Sequence, residues 1–157
     1  MKIKQLVDTD FTNYKKPSLF ILFPTCSFKC DKEYGCKICQ NSSLANQPTF
    51  DVSIESIYQF YETNPVTEAF VLGGLEPFDS PELLEFIDYI RQHTDDDIVI
   101  YTGYEEGEIR RQIEYLKQYN NIIVKFGRYV PRGSAYFNEI LGVMLASKNQ
   151  YAKVIKE

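Results

Sequence analysis

Ser18-Leu19-Phe20-Ile21-Leu22-Phe23-Pro24-Thr25-Cys26-Ser27-Phe28-Lys29-Cys30 is the stretch on which the fold turns. Leu19 to Phe23 form an unbroken apolar run, the composition of a strand covered on both faces, and Pro24 ends it. A loop carrying thiols therefore begins where a buried strand stops. All four cysteines of the chain, Cys26, Cys30, Cys36 and Cys39, fall in this loop. Disulfides among such close neighbours would staple nothing distant. The start Met1-Lys2-Ile3-Lys4-Gln5 lacks the apolar core of a secretion signal, so the chain is expected in the reducing cytoplasm. The crowding points to metal or cluster binding. The spacing is x3, x5 and x2, and four thiolates could close the tetrahedral shell of a zinc ion or hold an iron-sulfur cluster.

Outward from the loop, strand and helix signals alternate. Asp51 or Ser53 can cap a helix with Ile54, Ile57, Tyr58 and Tyr61 at helical spacing, stopped by Asn64-Pro65. Glu68-Ala69-Phe70-Val71-Leu72 reads as a second strand running into Gly73-Gly74. Ser80-Pro81-Glu82 has the order of N-cap, first helical proline and an acid at the positive dipole end, ahead of Leu83, Leu84, Phe86, Ile87 and Ile90. Ile98-Val99-Ile100-Tyr101 is a third strand, which Thr102-Gly103-Tyr104 turns toward an acidic helix with Ile109, Ile113 and Leu116 on one face. Ile122-Ile123-Val124-Lys125-Phe126 is a fourth, and Gly127 to Ser134 breaks the pattern. The alternation predicts an α/β fold with a mostly parallel sheet and its chemistry at the carboxyl ends of the strands, where Cys26, Gly73 and Thr102 fall.

With 157 residues, 44% hydrophobic and 15% aromatic, the chain can bury one ordinary core, so a single domain over 1–157 is expected. A net charge of -5 argues against a surface for nucleic-acid phosphates, and no apolar run is long enough for a membrane span. His93, the one histidine, is read as a surface charge at a helix C-terminus, and Asp95-Asp96-Asp97 as a solvated loop.

The loop Cys26-Ser27-Phe28-Lys29-Cys30, taken with Cys39-Gln40-Asn41, resembles the cluster loop of the radical S-adenosylmethionine (SAM) enzymes. In that family three cysteines spaced x3 and x2 hold a 4Fe-4S cluster and leave one iron open to the amino and carboxylate groups of SAM. Gly73-Gly74-Leu75-Glu76-Pro77 resembles the family's glycine motif, which holds the methionine amino group. Cys39-x-Asn41, Ile100-Tyr101-Thr102-Gly103-Tyr104 and Leu145-Ala146-Ser147-Lys148-Asn149-Gln150 are similar to the activating enzymes of anaerobic ribonucleotide reductase. The likeness runs from about Phe20 to Gln150, with its motifs in the family's order. It implies a shortened radical SAM-type (βα) half-barrel, with Cys26, Cys30 and Cys39 as cluster ligands. Gly73, Gly74, Glu76, Asn41 and Thr102 would then lie around SAM.

Three features depart from that pattern. Six extra residues separate Cys30 from Cys39 and contain Cys36, which is the alternative third ligand. Ile38 stands where the residue before the last cysteine is often aromatic. Lys125-Phe126-Gly127-Arg128 replaces an Asp-Gly that the activases commonly carry. The activity implied is SAM cleavage by the reduced cluster, fed by a donor such as flavodoxin, leaving a glycyl radical on anaerobic ribonucleotide reductase. The alternatives are the same chemistry on another glycyl-radical enzyme or a small molecule, and a zinc-stabilised binding module without catalysis.

Overall fold

In the computed structural model, which describes residues 1–26 and 42–156, ten strands and three α-helices are seen among the described residues. The strands are β1 (Lys2–Ile3), β2 (Gln5–Asp10), β3 (Ser18–Phe23), β4 (Phe50–Asp51) and β5 (Ala69–Gly74). They continue as β6 (Asp97–Tyr101), β7 (Ile122–Phe126), β8 (Tyr136–Asn138), β9 (Val143–Leu145) and β10 (Tyr151–Val154). The helices are α1 (Ile54–Thr63), α2 (Leu83–Arg91) and α3 (Arg110–Leu116).

The central sheet has the order β10-β7-β6-β5-β3-β2. Its four inner strands, β3, β5, β6 and β7, are parallel, and β2 and β10 close the two edges antiparallel. The expected α/β class with a mostly parallel sheet is therefore present, and among the described residues the sheet is open, with no closed barrel. β1 pairs with β4, and β8 with β9, in two small separate ladders.

Alternation along the inner strands decides which face each side chain serves. Leu19, Ile21, Phe23, Phe70, Leu72, Ile98, Ile100, Val124 and Phe126 point to one face. There they meet Ile57 and Tyr61 of α1, Phe86, Ile87 and Ile90 of α2, and Ile113 and Leu116 of α3. All three helices thus pack on the same side, because the inner strands follow one another in chain order and no reversal sends a crossover to the other side. Ala69, Val71, Val99 and Ile123 point to the second face and pack with Tyr14, Leu141, Leu145 and Ala152. With apolar neighbours on both faces, the inner strands read as continuous apolar runs.

Local signals account for the helix ends, with one shift. Ser53 caps α1 by accepting from Ser56 N at 3.1 Å, and Asn64, ahead of Pro65, leaves it in extended conformation. Ser80 is not the N-cap expected for α2. Pro77–Asp79 forms a 3-10 turn that Glu76 caps, and Ser80 N closes that turn on Pro77 O at 3.0 Å. The helix proper then begins at Leu83, after Pro81 and Glu82.

Candidate functional site

A cavity of about 350 Å³ opens at the carboxyl ends of β3, β5, β6 and β7, on the face the helices leave uncovered. Cys26, Gly73, Gly74, Glu76 and Thr102, which the sequence singles out at three separate places, all line it. Cys26 reaches it because it stands just past the end of β3, half-buried. Cys30, Cys36, Cys39 and Asn41 lie outside the described residues.

The two glycines serve different needs. Gly74 has φ +81°, and a β-carbon there would stand 2.8 Å from Leu22 Cα and 3.0 Å from Phe23 N, so the neighbouring backbone of β3 requires glycine. Gly73 has no such φ. A β-carbon on it would meet the ring of Phe20 at 3.1 Å, inside the cavity, so its glycine preserves room.

Glu76 is buried, and both of its carboxylate oxygens are engaged. Oε1 accepts from Phe78 N at 3.2 Å and from the Thr102 hydroxyl at 2.7 Å, while Oε2 accepts from Gly103 N at 2.9 Å. Its own N–H donates to Thr25 O at 2.7 Å. One residue thereby ties together the chain beyond β3, β5 and β6. Burial pushes its carboxyl up to about 7, although the hydrogen bonds from Gly103, Thr102 and Phe78 pull the other way. Thr102 also accepts from Tyr104 N at 3.0 Å, so it caps the strand end as well as lining the cavity.

The cavity lining also includes one buried base. Lys125, buried on β7, donates from Nζ to Gly127 O at 3.0 Å and lies 5.9 Å from the centre of the Tyr101 ring. Gln150 joins the same carbonyl at 3.4 Å and accepts from Ala146 N at 3.1 Å. Tyr101 donates to Asn13 O at 2.6 Å, and burial raises its phenol above the ordinary range. Thr12 and Asn13 also line the cavity, and nothing in the sequence marked them. They arrive through the β2–β3 connection, where Asp10 accepts from Thr12 Oγ1, Asn13 N and Asn13 Nδ2 at 2.8–3.1 Å.

The remaining candidates sit elsewhere. His93 is exposed beyond α2, with Nδ1 2.8 Å from Tyr89 O and its ring 4.3 Å from that of Tyr89. The acidic run is not simply solvated. Asp97 accepts from Tyr14 and Lys16, each at 2.8 Å, and Asp96 from Tyr61 at 2.6 Å. These two carboxylates anchor side chains of distant segments.

An open α/β sheet whose parallel strands bring a thiol, a glycine pair, a buried acid and a buried base to one cavity defines a cofactor-binding α/β domain. The chain belongs to the 4Fe-4S single cluster domain family, which it matches over residues 17–142. That span takes in all four cysteines and the strands that build the cavity, so a 4Fe-4S cluster-binding domain is present, and the cluster is favoured over zinc. No curated protein and no solved structure matches the chain. Among the described residues no helix is long and apolar enough to cross a membrane.

Proposed function

We propose that the chain is a radical SAM activating enzyme that generates a glycyl radical on anaerobic ribonucleotide reductase. In this reading Cys26, Cys30 and Cys39 hold the 4Fe-4S cluster, with Cys36 the alternative to Cys39, and SAM occupies the cavity beside them. The observation that carries it is the convergence of Cys26, Gly73, Gly74, Glu76 and Thr102 on one cavity, in a chain of the 4Fe-4S single cluster domain family. The one-sided helices and chain-ordered strands support a shortened half-barrel over a single domain, 1–157.

The residues present fit such a ligand. A thiol at a strand end supplies a soft donor for iron. The lining includes an acid, Glu76, and a base, Lys125, the two kinds of group that a zwitterionic amino-acid headgroup can pair with. Three donors occupy Glu76, and a carboxylate offers about four acceptor sites, so Oε2 keeps capacity for an ammonium N–H. Gly73 keeps the wall thin where a β-carbon would crowd Phe20. Held by these cysteines, the reduced cluster would supply the one electron needed to split SAM into methionine and a 5'-deoxyadenosyl radical able to take a hydrogen atom from a glycine α-carbon of the reductase. Asn41 and Thr102 would complete the cofactor's surroundings, and a cytoplasmic donor such as flavodoxin would feed the cluster.

Protein reconstituted without oxygen should be brown, contain iron and sulfide, and with dithionite convert SAM to methionine and 5'-deoxyadenosine. Adding the reductase should then give a glycyl radical signal by electron paramagnetic resonance. Colourless protein holding zinc, or cluster-loaded protein that leaves SAM intact, would sink the proposal.

A further inference from the structure

The cavity is bordered on one side by the hairpin of β8 and β9. Phe137 and Met144 are directly opposed across that hairpin and so share one of its faces. Both are exposed, at 57% and 59%, while the neighbouring Tyr136, Val143 and Leu145 pack inward on the second-face core. Met144 also lines the cavity, which places this apolar pair at its mouth. The same rim continues into the β2–β3 connection. Lys15 N donates to Leu141 O at 2.8 Å, and in that connection Phe11 is 66% exposed next to Thr12 and Asn13 of the cavity wall. Apolar side chains left open beside a cavity mark a surface that something covers.

The charge around this rim is opposite to that of the molecule. Residues 127–150 hold three basic residues, Arg128, Arg132 and Lys148, against one acid, Glu139, in a chain whose net charge is -5. Arg128 is held by Glu108 in a bidentate pair at 2.7 and 3.0 Å. Arg132 and Lys148 are exposed, and their turns touch, since a β-carbon on Gly133 would stand 2.5 Å from Ser147 Cβ. Two exposed cations, each four or five residues in sequence from one of two exposed apolar groups, select a segment that is both apolar and acidic.

We propose that Phe137 and Met144, flanked by Arg132 and Lys148, form the docking surface for an extended acidic segment of the partner protein, which lays an apolar side chain on the hairpin as it enters the cavity. This inference rests on the reading that the cavity acts on a protein rather than on a free small molecule. Steering by opposite charge would set the encounter, and the apolar pair would set the residence time.

The test exploits the methionine content, because the chain has two, Met1 and Met144, and Met1 lies away from the mouth beside Asp51. Cluster-loaded full-length protein labelled at the methionine methyls is titrated by NMR with short synthetic peptides that share a central Phe and carry flanking Glu, Gln or Lys. The Glu peptide should shift the Met144 methyl and leave Met1 in place, binding about tenfold more tightly than the Lys peptide at low salt, with the difference closing as salt rises. Phe137→Ser should weaken the Glu peptide about tenfold, and Arg132→Glu with Lys148→Glu should reverse the preference, each with the circular dichroism of the parent protein. Equal binding of Glu and Lys peptides, shifts at Met1 instead of Met144, or an oligonucleotide shifting Met144 where no peptide does, would each overturn the assignment. SAM cleavage is assayed on the same sample. Cleavage without peptide binding sinks this surface alone, whereas peptide binding without cleavage upholds the surface and sinks the radical reading.

Discussion

The hydroxyl of Thr102 donates to Oε1 of Glu76 at 2.7 Å, fastening the end of β6 to the turn that follows β5. Gly103 N and Phe78 N complete the knot, so the cavity floor between two parallel strands is held by a single buried carboxyl. Its geometry depends on an acid that also carries a desolvation cost.

That cost gives a pH signature. Burial moves the Glu76 carboxyl from its ordinary 4.5 to about 7, so the folded protein binds this proton more tightly than the unfolded chain does. The site therefore favours folding most at low pH, and that contribution is withdrawn as pH rises from 4.5 to about 7. Glu76→Gln cannot titrate, and its amide NH₂ must face one of the three donors. The variant should be less stable than the parent at acid pH, with the gap narrowing toward alkaline pH by no more than about 3 kcal/mol. Urea midpoints of the cluster-loaded proteins across that range check it. A gap that widens with pH would mean that the donors keep Glu76 ionised.

The glycine pair should separate under substitution. Gly74→Ala forces an L-residue into a positive φ and drives a β-carbon against the backbone of β3, so it should cost about 1–3 kcal/mol or more and reduce cluster retention. Gly73→Ala crowds the edge of the Phe20 ring, which can turn aside, and meets Tyr101 Cβ at an ordinary 3.6 Å, so stability should change by less than about 1 kcal/mol. Its effect should fall on the cavity and weaken SAM binding. Denaturant midpoints, together with equilibrium binding of SAM, distinguish the two. Equal losses of stability would show that Gly73 is also a packing residue.

The inner strands and their helices were legible because burial on both faces writes itself as apolar runs, as in Leu19–Phe23 and Ile122–Phe126, and burial on one side as helical spacing, as in Ile54, Ile57 and Tyr61. The edge strands were not. Gln5–Asp10 and Tyr151–Val154 are partly exposed and mix polar with apolar residues, and β8 and β9 have three residues each, so partners elsewhere in the chain define them. The site divides in the same way. Cys26, Gly73 and Thr102 are distinctive residue types at strand ends, whereas Asn13 and Gln150 are ordinary polar residues carried to the cavity by a connection and by the C-terminal segment.

Asp97 shows how a charge run conceals a tertiary role. It accepts from Tyr14, 83 residues away in sequence, and from Lys16, pinning the β2–β3 connection that carries Asn13 to the cavity wall. Burial, then the hydrogen bond to Asp97, raises the Tyr14 phenol above its ordinary range, so Tyr14 stays a neutral donor throughout the physiological range. Asp97→Asn or Tyr14→Phe should each cost about 1–2 kcal/mol, and the double variant little more than either alone. Asp95→Asn, at an exposed position, should stay within about 0.5 kcal/mol of the parent. Chemical denaturation of the four proteins tests the cycle, and strictly additive losses would show that the contact is not a working pair.

The ligand set can be read from metal content alone. Cys26 lines the cavity, and the cluster reading takes Cys30 and, across the six-residue insertion, Cys39 as the two further thiolates, so Cys26→Ser, Cys30→Ser and Cys39→Ser should each lose most of their iron and sulfide after anaerobic reconstitution. Cys36→Ser should keep both, together with the broad absorption of the cluster and its reducibility by dithionite. Loss of iron in Cys36→Ser with retention in Cys39→Ser would exchange the two roles and leave the site otherwise intact. Loss in all four variants would mean that every thiolate binds the cluster. No iron would then remain open to SAM, and the protein would carry electrons or hold structure rather than cleave a cosubstrate.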